Sequence, residues 1–290
     1  MKIFYWSPFT SKVATIKAVV NSAVVLKREY GIKTFILNSH GEWDSYKNEL
    51  KKKKIKIINV GTKIRFLSSD GYFKSRLLYA ILFINSFFSL RNILKKNSPD
   101  FLVIHLITSL PIILYCLFHF KTKLILRISG YPKLNFLRKF LWKMASKKFY
   151  AVTTPTLDTY HYLKKQKIFD RQKIFYLADP VFNNKDLRKK NRKLKFKNYL
   201  LNIGRLTKQK NQRLLINSFK EILINTKNSK LKLLILGKGE EERQLKKIVK
   251  KLSLEKNVFF LGHVSNPYDY IQNSKCVVIS SLWEDPGFVM

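Results

Sequence analysis

Two series of short apolar runs, separated by a stretch of almost wholly charged and amide residues, constrain this chain more than any other feature. The first series is "KIFYW", "KTFIL" from Lys33, "IKIINV" from Ile55, "FLVIHL" from Phe101, "KLILRIS" from Lys123 and "KKFYAVTT" from Lys147. Helix-length segments join them, among them an amphipathic stretch from Val13 with Ile16, Val20, Ala23 and Val24 on one face and a long run from Phe73 to Lys95. Strands without polar alternation, joined by helical crossovers, specify a parallel sheet buried on both faces. Residues 183–198 have no apolar period and read as a linker. The alternation then restarts with "YLLNIG", "LKLLILG", "NVFFLG" and "CVVIS", with helices from Gln209, over "EEERQLKKIVKKL" and near Tyr268. The fold class expected is α/β, with two Rossmann-like doubly wound domains, 1–182 and 199–290, facing a cleft. Ligands of such sheets sit at the carboxyl ends of the strands. Only "SLWEDPGFVM" follows "CVVIS", so the second domain is expected to be incomplete.

The 290 residues are 46% hydrophobic, enough for packed cores, which excludes wholesale disorder. Cys116 and Cys276 lie far apart with no CxxC spacing, which excludes a disulfide scaffold and a cysteine-based zinc site. The amino-terminal residues show no signal-peptide pattern, and a cytoplasmic location is expected. The net charge of +39 favours anionic partners: nucleic acid, phosphorylated small molecules or an acidic membrane surface. Any single cluster, such as "KKKKIK" from Lys51, reads first as a solvated face, so charge alone selects no function. Phe101 to Phe120 carries no formal charge and is long enough to span a bilayer, but "TSLP" interrupts it. Strand, short loop and helix opened by Pro111 is the preferred reading, with a transmembrane helix as the alternative.

Three motifs carry candidate chemistry. In "NIGRLTKQKNQRLL" a strand ends at Ile203, Gly204 permits a tight exit, and Arg205 and Lys210 flank a helix start. Helix N-terminal amides with Arg and Lys suit a diphosphate, although an ordinary basic loop reads equally well. In "LLILGKGEEE" Gly237 and Gly239 follow a strand, a pattern more often a turn than a ligand loop. In "SSLWEDPGFVM" Glu284 follows a strand, and Gly287 with Phe288 would open the next helix. A carboxylate beside free helix amides grips sugar hydroxyls and phosphate together; standing alone it would merely complement the helix dipole.

Taken in order, "GRL" followed after three intervening residues by Lys210, then "LGKGEEE", "FLGHV" and "SSLWEDPGF", resemble the donor domain of glycosyltransferase family 4, the GT-B-fold sugar transferases. The resemblance covers Tyr199 to Met290 and extends weakly over "PDFLVIH", "VTTPTLDTYHYL" and "ADPVFN". It implies that Arg205 and Lys210 bind a nucleotide diphosphate, that Gly262 and His263 lie against the base, and that Glu284 holds the transferred sugar. The donor set it implies also includes Gly204, Gly237, Gly287, Phe288 and Val289. The family's second glutamate would fall at position 292, so the resemblance implies a truncated member, expected to be inactive as it stands. "SPFTSK", with Thr10 and Ser11, replaces the family's glycine-rich loop. Ser129 occupies a place often held by histidine, and His105 matches another strand-end histidine, though a lone one there is more often structural. These four form the acceptor-side set.

The resemblance thus implies a retaining, metal-independent transfer from a nucleotide-diphosphate sugar to a glycan or lipid-linked acceptor. It implies no cofactor; no Asp-x-Asp pair is present to hold a metal. Peripheral docking on an anionic inner membrane is expected from the charge. One rival is a basic nucleic-acid-binding protein, disfavoured because no RNP, KH or zinc-finger pattern appears, so no nucleic-acid partner is expected. The other is a non-catalytic scaffold that binds sugar nucleotides.

Overall fold

The computed structural model describes residues 1–9, 15–62, 72–180, 194–264 and 266–284. The chain divides into two compact units, Met1–Asn183 and Asn184–Met290. The first is built on seven parallel strands: β1 (Lys2–Trp6), β2 (Lys33–Asn38), β3 (Lys56–Asn59), β4 (Phe101–Ile104), β5 (Lys123–Arg127), β6 (Phe149–Thr154) and β7 (Ile174–Tyr176), in spatial order 3-2-1-4-5-6-7. Successive side chains of a strand point to opposite faces, and both faces here need cover. Ile3 and Tyr5 join the core under α1 (Thr15–Tyr30) and α2 (Lys47–Lys52). Phe4 and Trp6 join the core on the other face. There they meet α3 (Tyr72–Asn97), α4 (Ser109–Leu117), α5 (Phe136–Met144) and α6 (Leu157–Gln166). On α1 the positions Ile16, Val19, Val20 and Ala23 repeat at helical spacing and are all buried.

Residues 101–120 form β4, a short loop and α4, the arrangement preferred from "TSLP". Among the described residues no helix is long and apolar enough to cross a membrane. Asn135 caps α5 by accepting from the Arg138 amide at 2.9 Å, and Thr156 caps α6 by accepting from the Thr159 amide at 3.2 Å. Strand β7 was not read from the sequence. It is three residues long at the sheet edge, with Phe175 and Tyr176 half exposed, so it has no buried-strand signature.

The second unit has four parallel strands: β8 (Tyr199–Ile203), β9 (Lys232–Leu236), β10 (Val258–Gly262) and β11 (Cys276–Val277), ordered 10-9-8-11. Among its described residues the helices are α7 (Gln212–Thr226), α8 (Glu242–Lys251) and α9 (Tyr268–Gln272). Helix α7 begins three residues later than the sequence reading: Lys208–Lys210 form a 3-10 turn and Asn211 is left-handed at φ 49°. Leu194 and Phe196 pack on the core formed by Tyr199, Leu201, Leu234 and Leu236.

The loops leaving β8 and β9 touch backbone to backbone. A Cβ at Gly237 (φ +139°) would lie 1.8 Å from the Gly204 carbonyl oxygen, and one at Gly239 would lie 2.1 Å from that of Leu206. At Gly204, by contrast, a Cβ would meet only the Lys210 stem at 3.5 Å, an ordinary contact. Gly237→Ala should therefore cost unit two about 2–4 kcal/mol of stability, through steric overlap and backbone strain together. Gly204→Ala should stay within about 0.5 kcal/mol. Urea unfolding of the two variants checks the contrast; equal losses would refute it.

Candidate active site

A doubly wound sheet leaves room for a ligand at the carboxyl edge where strand order reverses. In the second unit that point lies between β8 and β11, and the residues following these two strands carry Lys210 and Glu284. Lys210 Nζ donates to both Glu284 oxygens, at 2.6 and 2.7 Å, and both side chains are mostly buried. The methylene stem of Lys210 lies along the bare α-carbon of Gly204. Ser281 Oγ donates to Glu284 Oε1.

The two segments are sewn together beyond that pair. Ser280 Oγ donates to the Lys210 carbonyl at 2.8 Å, the Leu282 amide to the Gln209 carbonyl at 2.8 Å, and Gln209 Nε2 to the Trp283 carbonyl at 3.0 Å. One row deeper, Asn202 Nδ2 donates to the Val278 carbonyl at 2.8 Å. Helix α7 has no side-chain cap and no acid in its first turn. Its leading amides thus keep their positive potential at this edge.

The structure therefore brings Gly204, Lys210 and Glu284 together. Arg205 is exposed at the same edge, its carbonyl accepting from Gln212 Nε2 at 3.1 Å. Gly237 and Gly262 are joined by an amide–carbonyl bond of 2.7 Å at the ends of β9 and β10, and His263 is exposed just beyond. Thr10, Ser11, Gly287, Phe288 and Val289 lie outside the described residues. Gln209, Asn202, Ser280 and Ser281 were not singled out in the sequence. A polar Asn inside the apolar run "YLLNIG" was the available signal.

The first unit has its own reversal point, between β1 and β4. Trp6, Ile104 and Leu126 share one row, so Ser7, His105 and Arg127 form the next. All three are buried, and the His105 amide donates to the Trp6 carbonyl at 2.8 Å. Arg127 donates from Nε (3.0 Å) and Nη2 to Asp179 Oδ1, a buried ion pair. Ser7 Oγ, His105 Nδ1, Arg127 Nη1, Ser129 Oγ and Asp179 Oδ2 are buried without a partner among the described residues. Of these, the sequence reading named His105 and Ser129. It passed over Arg127, whose charge inside "LILRIS" was the visible clue. Burial, and secondarily the Arg127 charge, push the His105 imidazole down to about 3. Among the described residues no three His, Cys, Asp or Glu side chains group to hold a metal.

These features define a Rossmann-like chain with polar residues at each sheet's reversal point. Residues 183–290, which contain the Lys210–Glu284 pair, match the family model described as glycosyl transferases group 1. An uncharacterized glycosyltransferase of Methanocaldococcus jannaschii is 48% identical over 84 residues, 29% of this chain and 20% of that protein. The N-acetylgalactosamine-N,N'-diacetylbacillosaminyl-diphospho-undecaprenol 4-alpha-N-acetylgalactosaminyltransferase of Campylobacter jejuni is 36% identical over 86 residues, 30% of this chain and 22% of that protein. The matched stretch thus spans about a fifth of the length of these curated relatives. Among solved structures, Anabaena HepE in complex with UDP aligns with 99% of this chain and 76% of its own, at TM-score 0.68 and 12% identity. TarM aligns with 100% of this chain and 82% of its own, at TM-score 0.73 and 16% identity. The fold is that of these GT-B glycosyltransferases.

The depressed His105 value has a consequence for stability. An unfolded chain takes a proton on this imidazole near pH 6.5, whereas the folded unit does so only near pH 3. Between those values the unfolded state holds the extra proton, so stability falls as pH falls, by about 1.4 kcal/mol per pH unit. His105→Gln should remove that component and flatten the acid limb of the stability curve. Denaturant unfolding at stepped pH measures the slope in both proteins; identical slopes would show that His105 is not the source.

Proposed function

We propose that the chain carries the donor side of a glycosyltransferase. In this reading the bond between the sugar's anomeric carbon and the diphosphate breaks, a new bond forms to an acceptor hydroxyl oxygen, and that hydroxyl gives its proton to the departing diphosphate. The nucleoside diphosphate leaves. The observation that carries the reading is the Lys210–Glu284 pair at the reversal point of the second sheet, within the stretch that matches the family model.

Lys210 Nζ has three N–H donors, and two serve Glu284, so the third is left for a phosphate oxygen. Glu284, held by Lys210 and Ser281, keeps acceptor lone pairs for sugar hydroxyls. Arg205 adds a planar fork for the diphosphate, and the leading amides of α7 add dipole charge. Charge developing on the leaving diphosphate is met by these fixed donors, which makes the transfer metal-independent in this proposal. Gly262 and His263 flank the nucleoside base, and transfer proceeds with retention. The UDP bound in HepE supports a nucleoside diphosphate as ligand. The lipid diphosphate in the name of the Campylobacter relative supports a lipid-linked acceptor. The acceptor side falls to the first unit, where His105 and Ser129 hold unpartnered polar atoms.

Calorimetry with a panel of nucleoside diphosphates tests the reading on the chain as it stands. Arg205→Ala should weaken binding by about 1.5–3 kcal/mol, the loss of a charge-assisted hydrogen bond. Glu284→Gln removes the carboxylate that competes for Lys210, so it should bind the bare nucleoside diphosphate at least as tightly but lose the added affinity for its sugar conjugate. An unchanged dissociation constant for Arg205→Ala removes that residue from the site, and no binding by any nucleoside diphosphate overturns the proposal.

A further inference from the structure

Helix α5 has apolar side chains facing away from the core. Leu141, Trp142 and Ala145 anchor it and its exit to the sheet. Phe136, Leu137, Phe140 and Met144 are 82%, 73%, 60% and 51% exposed. At about 100° per residue these four fall within a single arc of about 100°. Lys139 and Lys143, both exposed, border it. The Phe136 and Phe140 rings stack on each other, 6.4 Å apart, with no cover from the rest of the unit. Helix α4 packs between α5 and α3, and α3 adds exposed Ile84 and Phe88 to the same helical layer.

A second feature adjoins this stripe. Where the chain leaves α5 and enters β6, a cavity of about 470 Å³ is lined by Lys121, Lys123, Lys147, Lys148 and Lys173. Phe118, Phe120 and Tyr150 also line it. It lies at the amino edge of β5, β6 and β7, the opposite edge from His105 and Arg127. Residues 72–157, which supply α3, α4, α5 and every lysine of the cavity except Lys173, contain 14 Lys and Arg against one acid, Asp100. That carboxylate is engaged by the Lys2 amide.

We infer that α5 and the adjoining lysine cavity form a docking surface for an anionic lipid bilayer. The stripe enters the boundary of the acyl chains, the bordering lysines reach back to the headgroups, and the cavity takes a lipid phosphate. Charge decides against the other occupants. A second copy would bring +39 against +39. A nucleic acid would satisfy the lysines yet offer Leu137 and Met144 no apolar phase. The inference rests on the lipid-linked acceptor only for its purpose; the binding itself requires no donor chemistry and is measured without it.

The test is co-sedimentation of the intact chain with vesicles of phosphatidylcholine alone or mixed equally with phosphatidylglycerol. Binding is expected to the anionic vesicles and not to the neutral ones. Phe136→Ser with Phe140→Ser, and separately Lys147→Ser with Lys148→Ser, should each lower partitioning about tenfold or more. The control, Lys246→Ser with Lys250→Ser on α8, should leave it nearly unchanged. Should the stripe variant misfold, amide exchange over residues 136–144 of the unaltered chain decides, slowing on addition of anionic vesicles if the surface docks there. Absence of vesicle binding, equal binding by both variants and the parent, or unprotected α5 amides each overturn the inference. So does a dimer of the parent that the stripe variant dissolves, which would make the face a self-interface. A dissociation constant for nucleoside diphosphate unchanged in these variants separates this outcome from that of the donor site.

Discussion

The constraint on which the rest depends is that parallel strands buried on both faces must satisfy their backbone groups along both edges. In the first unit this fixes seven strands in one parallel sheet, and in the second, four, with a register shift between β5 and β6 and another between β9 and β10. Because all run the same way, every chain exit that carries a polar side chain falls on one edge of its sheet. The strand order then reverses at one place in each unit, between β1 and β4 and between β8 and β11. Adjacent connections depart to opposite faces there and leave room for a ligand. His105 and Arg127 in one unit, and Lys210 and Glu284 in the other, stand at those places because of topology.

The two edges differ in electrostatic character. At the second, a lysine and a carboxylate neutralise one another close to solvent, where an incoming anion can compete for the lysine. At the first, Arg127 and Asp179 form a pair sealed from water, and His105 beside it is held neutral. A buried pair of this kind contributes little net stability, since desolvation offsets attraction, but removing either partner strands a charge. The two polar sites are therefore built for different work. The second is arranged to exchange partners, and the first is arranged to stay as it is.

Much of this was legible in the sequence because apolar runs and their spacing report burial directly. The alternation of "KIFYW", "FLVIHL" and "YLLNIG" with helical segments sufficed for the parallel α/β architecture, and "TSLP" separated β4 from α4. Strand β7 was illegible because an edge strand of three residues carries no pattern. The late start of α7 was illegible because it depends on one left-handed Asn. The residues of "GRL" and "WED" could be named and set near one another as parts of one donor site, but not their direct ion pair: Lys210 and Glu284 stand 74 positions apart, and the β8–β11 contact brings them together. Arg127 and Asp179 show the same limit across 52 residues. The outward face of α5 escaped for the opposite reason. Its composition, "FLRKFLWKM", satisfies the usual expectation of a core-facing helix, and composition does not say which side of a helix meets the core.

The contact of Gly237 and Gly239 with the carbonyls of Gly204 and Leu206 leaves no side chain between the loops after β8 and β9. Side chains normally act as a compliant layer, rotating to absorb small displacements of the backbone they separate. Here that cushion is missing, and bonds from the Leu206 amide to the Lys238 carbonyl and from the Glu241 amide to the Leu206 carbonyl fasten the contact. The turn that presents Lys210 is thus stiff before any ligand arrives. Little conformational entropy is left to lose on binding, and selectivity at this edge is set by fit to a nearly fixed shape.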